Sequence, residues 1–217
     1  MVWRAVREWF AEHFAPVRRA IRERGLLRAL PVSLAFGAAW LVAGVLGALP
    51  AAEDTVHDLV QYRATDLTDG KAWRLLLSIF GAYHLTHAAW ALLNVVLVVA
   101  PLEARVRSPY TLLILWAGHL LPSLGAYAVL STIGPERLLD TPDYGSSAAL
   151  MAATAALAVV RRSRVIAVLL LVGLAGDAVF SDRLTSGEHL TAAAVGAALG
   201  AVAVFLLRRQ RTEVAHE

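Results

Sequence analysis

The chain has 217 residues, of which 58% are hydrophobic and only 17% charged, with a mean hydropathy of +0.60; this is too apolar for an ordinary water-soluble domain. The net charge is +3, but the arginines stand in blocks at the ends of apolar runs, which marks them as topology signals and argues against nucleic acid as a partner. There is no cysteine, so a disulfide framework, a thiolate metal site and a cysteine nucleophile are excluded, and covalent chemistry falls to Ser or Thr.

In chain order, residues 1–28 come first, with Trp3, Val6, Trp9, Phe10, Phe14 and Val17 set among Arg and Glu. This pattern suits a basic amphipathic helix lying on the inner leaflet. The apolar run that follows is long enough to span and leads to no small-residue cleavage site, so it is expected to be an anchor rather than a removed signal. Crossing about 30 Å of hydrocarbon takes roughly 20 apolar residues, fewer where helix ends are buried in protein. Six stretches meet that standard: 30–49, 83–100, 110–132, 145–160, 165–180 and 187–207. They predict a six-helix membrane domain over residues 29–208 and a short tail over 209–217. Residues 51–82 form the one long loop, and the apolar segment 72–80, too short to span, is expected to dip into the interface.

The positive-inside rule orients this bundle. With the N-terminus inside, Arg4, Arg7, Arg18, Arg19, Arg22, Arg24, Arg28, Arg105, Arg107, Arg161, Arg162, Arg164, Arg208, Arg209 and Arg211 are all cytoplasmic. Only Arg63, Lys71, Arg74, Arg137 and Arg183 lie outside. Fifteen against five predicts a multi-pass plasma-membrane protein with both termini in the cytoplasm and lipids as its surroundings.

Polar residues within the spans are His84, His87, Asn94, His119, Ser146, Ser147, Asp177 and His189. Such groups belong on the bundle interior, and the ionisable ones are functional candidates. The second, fourth and sixth spans all enter from the outer face. His84, His87, Ser146, Ser147 and His189 are therefore expected to share one depth, with Asp177 in the same layer and Asn94 and His119 deeper. A serine hydroxyl needs a base, and neutral imidazole suits that task near pH 7; Ser147 and His189 would make the pair. Gly145, Ser146 and Ala148 surround the nucleophile with small residues, and backbone N–H groups at the helix start are free to hold an oxyanion. His87 could donate as well. Taken singly, a Gly-Ser-Ser-Ala run is commonly a close helix contact, and a lone His is commonly a core residue. His84, His87 and His119 could meet at a metal, but with no H-E-x-x-H and no carboxylate partner neither a metal nor a cofactor is expected. Asp177 reads either as a proton-relay carboxylate in a small transporter or, by preference, as a hydrogen-bonded structural residue.

In combination these residues resemble the rhomboid family of intramembrane serine proteases, over about residues 73–201. The resemblance rests on Trp73-Arg74 in the first outer loop, on His87 and Glu103-Ala-Arg105 at the two ends of the second span, on Gly145-Ser146-Ser147-Ala148 opening the fourth, and on His189 with Ala192 and Gly196 in the sixth. It implies a six-helix rhomboid-like bundle that cuts single-pass transmembrane substrates near the outer face. Ser147 would be the nucleophile, His189 the base, and His87 with the Ser147 N–H the oxyanion site. Four positions depart from the family pattern. An oxyanion Asn is replaced by Ala91, with Asn94 one turn further on; two glycines are Ala148 and Ala192; and a Tyr that stacks on the base is Met151. Those departures leave room for a non-catalytic relative that binds transmembrane segments.

Overall fold

The computed structural model describes residues 2–82, 85–134 and 138–214, so His84 and Arg137 lie outside the described residues. Among them the chain is all helical apart from one isolated antiparallel bridge, Tyr62 to Asp143. The elements are α1 (Val2–Arg24), α2 (Leu26–Ala29), α3 (Pro31–Gly47), α4 (Glu53–Val60), a 3-10 turn (Ala64–Leu67), α5 (Trp73–Ser78), α6 (Leu85–Asn94), a π turn (Val95–Val99), α7 (Ala100–Val106), α8 (Ser108–Ile133), α9 (Ser146–Arg161), α10 (Arg164–Phe180) and α11 (Arg183–Val214). Helices α6 and α7 join through the π turn into one 22-residue rod.

Among the described residues, three helices are long and apolar enough to cross a membrane: Leu85–Val106, Ser108–Ile133 and Arg183–Gln210. They coincide with the second, third and sixth expected spans. The apolar helices α3 and α9 are shorter, with 17 and 16 residues; at 1.5 Å per residue α9 is only about 24 Å long. Its length is explained by its surroundings, because α8, α10 and α11 all pack against it.

Close approach around α9 depends on small side chains. Ala148, Ala149, Ala152, Ala153, Ala155 and Ala156 are buried, and the α11 residues Ala192, Gly196 and Gly200 recur at the same four-residue interval. A Cβ at Gly196 would collide with the Ala152 backbone, and one at Gly200 would stand 2.9 Å from the Ala156 Cα. This is the small-xxx-small contact that lets helix backbones touch where lipid offers no hydrophobic drive. Gly118 of α8 meets Ala152 in the same way.

Two further devices hold the frame. Glu103 of α7, fully buried, accepts from Val32 N (3.0 Å), Ser33 N (2.8 Å) and Ser33 Oγ (2.6 Å). It thus satisfies orphan N–H groups and complements the positive end of α3, which Pro31 begins. Helix α1 is seated by His13. Pro101 has no N–H with which to bond the Leu97 carbonyl four residues earlier, and His13 Nε2 donates to that carbonyl at 2.7 Å. Arg161 Nη1 donates to His13 Nδ1 at 2.7 Å while its guanidinium covers the Trp9 ring at 4.6 Å. Arg105 donates to the His13 carbonyl.

The segment 51–82 is a cap of short helices laid on one end of the bundle. Arg74, buried beneath Trp73, pairs with Asp58 at 2.5 Å and Asp66 at 3.4 Å. Segment 72–80, expected to dip into the lipid interface, has two faces: α5 buries Arg74, Leu75 and Ser78 against protein and Ile79 has no exposed surface, while Trp73, Leu76 and Leu77 are exposed. Trp40 Nε1 donates to the Ile79 carbonyl and His119 Nε2 to the Leu75 carbonyl.

Candidate functional site

Ser147 stands in the first turn of α9, whose N-cap is Gly145. The first N–H groups of a helix have no intrahelical partner and carry the positive end of its dipole, so the Ser147 N–H and hydroxyl sit at an electropositive helix start. Ser147 is half-buried. Its Oγ lies 2.9 Å from His189 Nε2 on α11, and His189 Nδ1 lies 2.7 Å from Asp177 Oδ2 on α10. A carboxylate only accepts. Nδ1 therefore carries the proton and donates to Asp177, which leaves the Nε2 lone pair to accept from the Ser147 hydroxyl. That tautomer is the one a general base requires.

Asp177, expected in this layer as a hydrogen-bonded residue, bonds His189, a partner that sequence reasoning did not name. Depth was legible from the spans, but not the direction in which each side chain leaves its helix. The α10–α11 turn supplies that direction. Asp182 accepts from Leu184 N (2.8 Å), Thr185 N (2.9 Å) and Thr185 Oγ (2.8 Å), and Ser186 Oγ donates to the Asp177 carbonyl at 2.8 Å. Burial works to raise the Asp182 carboxyl, yet the bonds from Thr185 and Leu184 outweigh it and hold the group below the usual range. This charged cap fixes the start of α11, and with it His189, against the end of α10.

The other candidates are distributed unevenly. Ser146 is fully buried; its Oγ donates to the Gly81 carbonyl at 2.9 Å and stands 3.3 Å from His87 Nε2. With the hydroxyl proton committed to Gly81, Nε2–H of His87 is the donor in that contact, so His87 reaches the residue just before Ser147. Gly145 has a local steric reason to be glycine, because a Cβ there would collide with the His119 imidazole. His119, expected deeper, is instead level with the start of α9; its Nε2 contacts the Leu75 carbonyl (2.7 Å) and Ser78 Oγ (3.2 Å). It fastens the cap to the bundle. Asn94 does not join the site. Its Nδ2 donates to the Trp90 carbonyl of its own helix at 2.9 Å, and its side chain lines a separate groove. Ala91 is fully buried in the core.

That groove is an apolar cavity of about 740 Å³ between the α6–π segment and α10, floored by α9. Met151 and Thr154 of α9 line it, one and two turns beyond Ser147, and Trp9, Phe10 and His13 of α1 close its far end. On the cap side the site borders acids. Burial pushes the Asp143 carboxyl up, and burial together with Glu188 and Asp143 pushes the Tyr62 phenol up.

Fold and site together define an apolar, all-helical protein with a Ser–His–Asp hydrogen-bonded chain at one end of its central helix. Comparison with protein-family models, with curated proteins and with solved structures finds no match to this chain.

Proposed function

We propose that this is a polytopic membrane protein of six transmembrane helices, both termini cytoplasmic, acting as a rhomboid-like intramembrane serine protease on single-pass transmembrane substrates near the outer face. The observation that carries the reading is the Ser147–His189–Asp177 chain, with contacts of 2.9 and 2.7 Å. Both lie within the reach that proton transfer needs. Helices α3, α9 and α10 would complete the six spans, their short lengths accommodated by protein neighbours.

The chemistry follows from the tautomer. His189 Nε2 takes the Ser147 proton as Oγ attacks the scissile carbonyl, while Asp177 stabilises the imidazolium through Nδ1–H. The carbonyl oxygen becomes an oxyanion, which the Ser147 backbone N–H at the helix start can hold, with His87 as a second donor after turning from Ser146. The leaving amine takes the proton from Nε2 as the C–N bond breaks. Water, deprotonated by the same imidazole, then hydrolyses the acyl-enzyme and regenerates the Ser147 hydroxyl.

A fluorophosphonate probe tests this: it should label wild-type protein and leave Ser147→Ala unlabelled. Absence of labelling on folded wild type would move the assignment to the second reading, a non-catalytic protein that holds transmembrane segments. The observation favouring that reading is Ala91, buried and without a donor where the family pattern has an oxyanion amide. Loss of one such donor costs about 10² to 10³ in rate, so the protease reading predicts slow turnover.

A further inference from the structure

Away from the serine site, a second cavity of about 510 Å³ opens where α1 crosses the ends of α7, α9 and α11. Its charged lining is four arginines, Arg19, Arg24, Arg105 and Arg208, against one acid, Glu23. None of the four forms an ion pair among the described residues: Arg105 bonds the backbone carbonyls of Pro101 and His13, and Arg19, Arg24 and Arg208 make no side-chain bond to an acid. The remaining wall is apolar, with Val106, Val204 and Leu207. Four uncompensated guanidiniums over a hydrocarbon wall ask for a ligand that is anionic at one end and apolar at the other.

We propose that this cavity binds the headgroup of an anionic phospholipid of the inner leaflet, its phosphodiester held by the arginines and its glycerol and upper acyl carbons against Val106, Val204 and Leu207. The assignment rests on the membrane reading but not on catalysis. Guanidinium matches phosphate oxygens in bidentate geometry, and basic pockets between helix ends on the cytoplasmic side are suited to anionic headgroups. The position also gives the lipid a structural task. It bridges α1 to α7 and α11, reinforcing the seat made by His13.

The test is lipid retention by the full chain, with phosphatidylglycerol and phosphatidylcholine as competing probes in native mass spectrometry from mixed micelles. Wild type should retain one phosphatidylglycerol in preference to phosphatidylcholine. Each arginine removed from the cavity wall, within reach of the headgroup, weakens such binding about fivefold, so Arg19→Gln with Arg24→Gln and Arg208→Gln should reduce retention on the order of 100-fold. Glu23→Gln, which leaves every arginine in place, should strengthen it about fivefold. Removing the same charge from α1 outside the cavity, through Arg7→Gln, Arg18→Gln and Arg22→Gln, should leave retention unchanged. Equal loss in both triple variants would overturn the proposal in favour of diffuse surface attraction. Displacement of phosphatidylglycerol by millimolar inorganic phosphate would overturn the lipid assignment in favour of a free-anion site. Labelling at Ser147 is read separately, so failure here and failure of the protease reading are distinguishable.

Discussion

Asp177→Asn isolates what the carboxylate contributes, because it keeps the shape and removes the charge. In the wild type Asp177 Oδ2 accepts from His189 Nδ1 at 2.7 Å, a short, charge-assisted bond. An Asn can offer its oxygen, retaining the tautomer but losing the charge, or it can turn its NH₂ toward Nδ1. In the second arrangement Nε2 carries the proton and can no longer accept from Ser147. Loss of a hydrogen bond to a charged group amounts to about 1.5 to 3 kcal/mol, or roughly 10- to 150-fold in rate, and inversion of the tautomer extends the loss toward about 10⁴. The Asp177 side chain is 22% exposed, so water compensates part of the charge, and the expected slowing of fluorophosphonate labelling is about 10² to 10³-fold near pH 7. The fold should survive, because the α10–α11 turn is held by the Asp177 backbone carbonyl and by Asp182; a stability loss of about 1 kcal/mol is expected. Labelling of the folded variant within a factor of about three of wild type would refute the argument and reduce Asp177 to a structural clip.

Three further outcomes concern the frame. Glu103→Ala strips the acceptor from Val32 N, Ser33 N and Ser33 Oγ inside the protein and should destabilise by about 3 kcal/mol or more, read as a fall in Tm in detergent; an unchanged Tm would mean water replaces the carboxylate. Gly196→Val forces side-chain carbon into the Ala152 backbone and should cost about 3 kcal/mol, measured in the same way, whereas Thr191→Val, exposed on the same helix, should change little. The seat of α1 should depend on pH. Burial, with Arg161 and Arg105 adding to it against the Leu97 bond, holds the His13 imidazole below its ordinary value of 6.5. A depressed histidine contributes stability that is complete above the unfolded value and is lost as pH falls below about 6.5 toward the folded one. Trp9 fluorescence between about pH 7.5 and pH 5 should report release of α1, and His13→Gln, uncharged throughout, should abolish the change.

Three of the six expected spans, now Leu85–Val106, Ser108–Ile133 and Arg183–Gln210, and the contact of Ser147 with His189 were legible in the sequence, because hydropathy sets how far along an apolar helix each residue lies. What depth leaves open is azimuth. Asp177 and His119 are the instructive pair: one was placed in the outer layer without its bond to His189, the other a turn or more too deep. The long α8 carries His119 up to Gly145, and no periodicity in an apolar segment announces which turn meets which loop. The cap was legible only as a loop. Its order comes from Arg74 meeting two carboxylates, Asp58 and Asp66, at separations of 16 and 8 residues, which no local pattern encodes. Gly145 was read only as one of the small residues around Ser147, and the space its missing side chain leaves is filled by the imidazole of His119.

The seating of α1 also orders assembly in time. His13 bonds a carbonyl 84 residues later and a guanidinium 148 residues later. Helix α1 therefore has no complete resting place until Arg161, far later in the chain, has been made and its helix has found α7. Until then the amphipathic strip of Trp9, Phe10 and Phe14 must wait elsewhere, and a bilayer surface is the available shelter. Helix α1 is made before the helices that seat it and docks after them, which makes its arrival a report that the ends of α7 and α9 have come together.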